Sequence, residues 1–183
     1  MKLSNSLYKG LGYRFNRYPF SLIFSMLILL CLLIYLLLPI QIISLSVDES
    51  TLFNVALDIG EEFYIDYTHS VMKTTVRDVF EITENNTLRL TRTEYSSFGA
   101  GLPTENYGSF KLENGRYINE GINMELSYIP LRVGNIANHR LLLQEGSEFF
   151  LANFVEGGTL IDVKPRKITR LQNILSKRRN RNV

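Results

Sequence analysis

The chain has 183 residues, 45% of them hydrophobic, with one cysteine, two histidines and a formal net charge of +2. One cysteine excludes an intrachain disulfide, so a folded domain here is held by packing alone. The small net charge hides three blocks: Lys2, Lys9, Arg14 and Arg17 with no acid, then all 18 acids between residues 48 and 162, then a tail from Lys164 with bases only. Bases are not interleaved with aromatics in the acidic block, which argues against a nucleic-acid partner.

The first element is apolar. Residues 1–17 form a basic N-terminus, and no charge follows between Phe20 and Asp48. The uncharged run from Phe20 to Leu38 spans ~28 Å as a helix, enough for the hydrocarbon core of a bilayer. Tyr18 and Tyr35 suit the two interfaces, and Pro39 can end or kink the helix. Residues 18–43 are therefore read as a single-pass transmembrane anchor. Positive charge before the helix and Asp48 and Glu49 after it place the N-terminus in the cytoplasm and the rest outside the cytoplasmic membrane. A cleaved signal peptide fits less well, because its apolar region is shorter and Pro39-Ile40-Gln41-Ile42-Ile43 offers no small-residue cleavage site. Cys31 lies inside the apolar run as a small side chain facing lipid or a neighbour.

Residues 44–163 read as one extracytoplasmic domain of strands. Phe53, Val55, Leu57 and Ile59 alternate with polar residues, as do Phe63, Ile65 and Tyr67. Val76, Phe80 and Ile82 share a face that Asp78 interrupts, and Leu88 with Leu90, then Met124, Leu126 and Tyr128, continue the pattern. Asn114-Gly115 has the composition of a type I′ hairpin turn. Glu84-Asn85-Asn86, Gly134-Asn135, Glu145-Gly146-Ser147 and Gly157-Gly158 mark further turns. Eight to ten short strands predict a mainly β fold, an antiparallel sandwich or barrel, with no helix before Pro165. Residues 164–183 form the basic tail. Ile168, Leu171, Ile174 and Leu175 have helical spacing among the bases, consistent with a short amphipathic helix on an anionic membrane or with a frayed tail.

No hydrolase, zinc-protease or phosphate-loop signature is present, and no cysteine pair for a metal. Two stretches stand out. In Tyr67-Thr68-His69-Ser70-Val71 a strand ends in polar residues; His69 and Ser70 are adjacent, point to opposite faces of an extended chain and cannot act as base and nucleophile together. In Ser96-Ser97-Phe98-Gly99-Ala100-Gly101-Leu102-Pro103 the small residues permit a close backbone approach, an anion-binding concavity or a sheet corner. His139 would need to meet His69 and an acid such as Asp66 or Asp78 to hold zinc. The candidate ligand or partner contacts are therefore His69, Ser70, Gly99, Ala100, Gly101 and His139, with no catalytic residue, metal or cofactor assigned.

The two stretches together resemble a small bacterial domain-of-unknown-function family encoded beside TAXI-type TRAP transporters, which use an extracytoplasmic solute-binding protein. The family pattern is His-Ser-Val-Glu after a strand, then Gly-Ala-Gly-Met about 30 residues later. His69-Ser70-Val71 and Gly99-Ala100-Gly101 match, with Met72 in place of the acid and Leu102 in place of methionine. The resemblance covers residues 50–160 and implies a transporter context without supplying binding residues. The expected function is a non-enzymatic accessory protein at the outer membrane face, contacting a TRAP permease or its solute-binding protein. A small-anion sensor at the Gly99–Gly101 loop and an envelope hydrolase or metal-dependent enzyme are the alternatives.

Overall fold

The computed structural model describes residues 20–97 and 108–180. The first helix, α1 (Phe20–Leu37), is 18 residues of apolar sequence with no buried residue. Its ~27 Å length makes it long and apolar enough to cross a membrane. It stops two residues before Pro39, because the proline ring disfavours helical backbone in the residue before it. The basic N-terminus 1–17 and Tyr18 lie outside the described residues.

Everything from Leu37 onward forms a separate compact unit built on two antiparallel sheets. The smaller sheet has the order β2 (Ser50–Ala56), β1 (Pro39–Val47), β11 (Leu160–Thr169) and β8 (Ile129–Arg132). The larger has the order β10 (Glu148–Phe150), β9 (Arg140–Leu143), β3 (Glu62–Thr68), β4 (Thr75–Ile82), β5 (Leu88–Tyr95), β7 (Arg116–Leu126) and β6 (Ser109–Glu113). Among the described residues, one 3₁₀ turn, Leu151–Asn153, and a C-terminal helix, α2 (Arg170–Asn180), complete the unit.

The sheets close face to face over one core. Ile43, Leu45, Phe53, Val55, Ile161 and Val163 come from the smaller sheet; Phe63, Ile65, Phe80, Ile82, Leu88, Leu141 and Leu143 come from the larger. This is a sandwich of inward-facing alternate residues. Burying each such side chain contributes about 1.5–3 kcal/mol, and with no disulfide this term carries the fold. The Asn114-Gly115 turn has the positive φ angles a type I′ hairpin needs, 50° and 76°.

Several boundaries differ from the sequence expectation. Residues 39–43, expected in the anchor, begin β1, and Ile42 and Ile43 are 1% and 0% exposed. Proline cannot extend the helix, and the isoleucine-rich run after it suits a pleated strand. Residues 164–169, expected in the tail, continue β11 because it pairs with β1 all the way from Asp162 to Thr169. Ile59 is 48% exposed rather than on the buried face of β2, which ends at Ala56 before a turn at Gly60. Met124 and Tyr128 are also exposed, at 42% and 41%. At ~4.8 Å per strand the four-stranded sheet is too narrow to cover all seven strands opposite.

Candidate functional site

Strands β3, β4 and β5 run side by side, so the turn after β3 and the end of β5 fall at the same end of the larger sheet. The β3–β4 turn is residues 69–74. Its backbone closes through His69 N–H to Thr74 O and Lys73 N–H to His69 O, both 2.9 Å. The His69 ring finishes the turn: Nδ1 accepts the backbone N–H groups of Val71 and Met72 at 3.3 and 3.2 Å. His69 is 9% exposed, Ser70 lies on the surface, and Val71 and Met72 are 69% and 40% exposed at the tip. Histidine thus does here what an Asx side chain does in many turns, satisfying local donors that the strand ladder leaves over.

A second contact ties this turn to the other conspicuous stretch. The hydroxyls of Thr74 and Ser97 hydrogen bond at 3.0 Å. Ser97 leads directly into Phe98 and the Gly99-Ala100-Gly101 run, which lies outside the described residues. The turn after β3 and the end of β5 therefore meet across β4.

The loop before β9 reaches the same end, where Thr68 N–H donates to Ala137 O at 2.6 Å. His139 stacks on Tyr67 with ring centroids 5.8 Å apart, and its Nδ1 accepts Gly134 N–H at 3.2 Å. Burial holds its pKa below the usual histidine value. Both histidines spend a ring nitrogen on a backbone donor, which a metal would have to displace. The acids considered with them are engaged as well, Asp66 by Arg77 and Arg140 and Asp78 by Thr93. Among the described residues no three His, Cys, Asp or Glu side chains gather as a metal would require.

Beneath this end of the sheet, on the core side, is the least conventional part of the domain. Val76 and Tyr95 are fully buried in a small cluster with Tyr67 and Tyr117, separate from the main core. Tyr95 and Tyr117 sit 5.8 Å apart, and Phe110 extends the row at 5.8 Å from Tyr117. Between the two clusters lie Asp78 and Thr93, with the Thr93 hydroxyl donating to Asp78 Oδ1 at 2.7 Å. Among the described residues no lysine or arginine forms an ion pair with Asp78. Burial pushes its pKa from 3.8 up to about 6; the threonine hydrogen bond opposes the rise and the charge of Asp66 adds to it. Burial, reinforced by the Asp78 charge, likewise pushes Tyr67 up to about 12. A carboxyl group in this state exchanges a proton near neutral pH and would favour a cationic neighbour over an anionic one.

Sequence reading picked out His69, Ser70 and His139, and the structure gathers the loops that carry them at one sheet end. It passed over Thr74 and Thr93, quoted Tyr67 and Ser97 only as parts of the two stretches, and took Asp78 as an interruption in a strand and one possible zinc ligand. That interruption was the available signal: a charge at an inward-facing position needs either a partner or a reason.

Residues 63–150 match the family model described as Domain of unknown function (DUF1850). The match covers just under half of the chain. Its span runs from β3 to β10 and so takes in the whole seven-stranded sheet, including the His69 turn and the Gly99–Gly101 stretch. Strands β1, β2 and β11 of the smaller sheet fall outside it. No curated protein and no solved structure matches the chain.

Proposed function

We propose that this protein is a membrane-anchored, extracytoplasmic accessory protein of a TAXI-type TRAP solute transporter and that it works by docking rather than by catalysis. The observation that carries the reading is the Thr74–Ser97 contact, which ties the turn that holds His69 to the end of β5, two residues before the Gly99-Ala100-Gly101 run in sequence. The opposite end of the same strands is tied to β1 and β11. Asn86, in the β4–β5 turn, accepts from Gln41 at 2.7 Å and donates to the Pro165 carbonyl at 3.3 Å. Gln41 is four residues beyond α1, while the His69 turn lies ~23 Å further along β4. The exposed tip Val71-Met72 is thereby held at the far end of the sheet from the residues next to the helix. The charge asymmetry about α1 supports an outward-facing domain.

The test is solute uptake in cells that carry the cognate transporter. Deleting the gene should reduce uptake, and wild-type protein should restore it. Val71→Asp, at an exposed tip, should keep membrane level and melting behaviour but fail to restore transport. A photo-crosslinker at position 71 should capture the TRAP permease or its binding protein. Uptake unaffected by the deletion would end this reading.

A further inference from the structure

The C-terminal helix is built the wrong way round for a helix that serves only its own domain. Its start is well defined by a capping box: Thr169 Oγ1 accepts Gln172 N–H at 3.2 Å, and Gln172 Oε1 accepts Thr169 N–H at 2.9 Å. The side it turns to the domain is polar. Asn173 is 8% exposed, and Ser176 accepts from Asn54 of β2 at 3.3 Å. The side it turns outward carries Leu171, Ile174 and Leu175, which are 37%, 44% and 54% exposed. A helix packed on a soluble domain normally buries its apolar stripe and leaves the polar one to water. Here the apolar stripe faces away from the protein.

Two further observations say what lies there. The first is position. β1 pairs Pro39 with Thr169, and the Arg170 N–H donates to the Leu38 carbonyl at 3.2 Å. The first turn of α2 is thus hydrogen bonded to the residue that immediately follows α1, the point where a membrane-spanning helix leaves the bilayer. The second is charge. From Lys164 to the end of the chain there are bases and no acid, with Arg170, Lys177, Arg178 and Arg179 inside the helix itself. Exposed leucine and isoleucine flanked by lysine and arginine, at the exit of an apolar helix, match an anionic lipid surface.

We infer that α2 lies on the anionic phospholipid surface of the membrane that α1 crosses, with Leu171, Ile174 and Leu175 at the acyl boundary and the basic residues at the headgroups. The inference rests on α1 being a membrane span but not on its orientation, since the exit point and α2 are on the same side in either case. A second, adjacent contact would stop the domain from swinging freely on its tether and hold the sheet at a defined angle to the membrane.

The chain contains no tryptophan, so single-tryptophan variants of the full-length protein report on one place at a time. Leu175→Trp, Leu29→Trp and Ile136→Trp are reconstituted in vesicles of phosphatidylcholine with phosphatidylglycerol, with and without brominated acyl chains. Ile136 is 70% exposed in the β8–β9 loop and serves as the water-facing reference. The expected result is blue-shifted, bromine-quenched emission at positions 29 and 175 and neither at 136. In phosphatidylcholine alone, or after changing Lys177, Arg178 and Arg179 to Gln together, quenching at 175 should fall while that at 29 persists. Quenching at 29 with water-like emission at 175 overturns the inference and leaves the anchor intact; no quenching at 29 breaks the anchor reading instead. A blue shift at 175 that grows with protein-to-lipid ratio and resists bromine would identify a second copy of the chain as the occupant, and would also overturn it.

Discussion

Two aspartates on neighbouring strands of the larger sheet are treated in opposite ways. Asp66 on β3 pairs in register with Arg77 on β4, and Asp78 stands opposite Ile65, one position along. The pleat sends them to opposite faces. Asp66, 1% exposed, is gripped on the outer face by Arg77 Nε at 2.7 Å and Arg77 Nη2 at 2.9 Å, with Arg140 Nη2 at 3.3 Å. The pairing continues outward from Arg140 to Glu148, and a parallel network joins Glu62, Arg92, Glu94 and Arg116. Asp78, on the core face, has one threonine hydroxyl and an aromatic neighbourhood. Asp66 is fully buried and Asp78 half-buried, and the two differ most in the number and charge of the donors that face them. The outer face is a closed lattice of paired charges. The inner end, below the His69 turn and the end of β5, carries an acid that the fold leaves half-provided for.

Three substitutions test that contrast, beginning with the most severe. Val55→Asp places a carboxylate in the main core with neither guanidinium nor hydroxyl to receive it. Val55 is 6% exposed and sits opposite Ile43. The cost, at least several kcal/mol, rivals the ~5–15 kcal/mol stability of a whole domain. The cooperative melt of the domain should disappear, and an unchanged melting curve would show that β2 is turned the other way.

Asp66→Ala removes the carboxylate and leaves Arg77 and Arg140 facing each other. Both keep partial solvent contact, so the loss should fall at about 3 kcal/mol, the low end for breaking a buried pair. Chemical denaturation at neutral pH measures it. A loss below ~1 kcal/mol would place this network with ordinary surface pairs.

Asp78→Asn should act in the other direction. In the folded state the acid titrates at about 6 instead of 3.8, so the native protein holds a proton that the unfolded chain has released. Stability therefore falls as pH rises through this window, and above it the standing cost is on the order of 3 kcal/mol. Asparagine keeps an oxygen for the Thr93 hydroxyl and carries no charge. The variant should be more stable than wild type by about 2 kcal/mol at neutral pH and equal to it near pH 4. His139 contributes with the opposite sign: its depressed pKa makes acid destabilising as pH drops below the usual histidine range. The difference between variant and wild type cancels that term. Superimposable pH profiles would mean Asp78 has a partner or a solvent path that keeps it an ordinary carboxylate.

Much of the architecture was written in local pattern. Alternation at Phe53-Val55-Leu57 and Phe63-Ile65 marks inward faces because a strand's side chains reverse at every residue, and Asn114-Gly115 marks a hairpin because few other pairs accept two positive φ angles. The apolar run and the charge asymmetry needed only length and hydropathy. The true edges of β1 and β11 were hidden, since residues 39–43 and 164–169 pair with each other across more than 100 residues of chain. The capping box at Thr169 and Gln172 was visible in sequence, but its meaning depended on which side of α2 the sheet would cover.

The site divides in the same manner. Sequence alone determined that a polar turn at His69 and a small-residue stretch at Gly99–Gly101 exist, because each is a short contiguous pattern. Only the tertiary structure decided that the His69 turn is tied to the end of β5 through Thr74 and Ser97, that both histidines are occupied by backbone donors, and that Asp66 and Asp78 have different company. Those outcomes rest on register between strands distant in the chain. A one-residue shift in that register would exchange the two faces and with them the environment of every acid on the sheet.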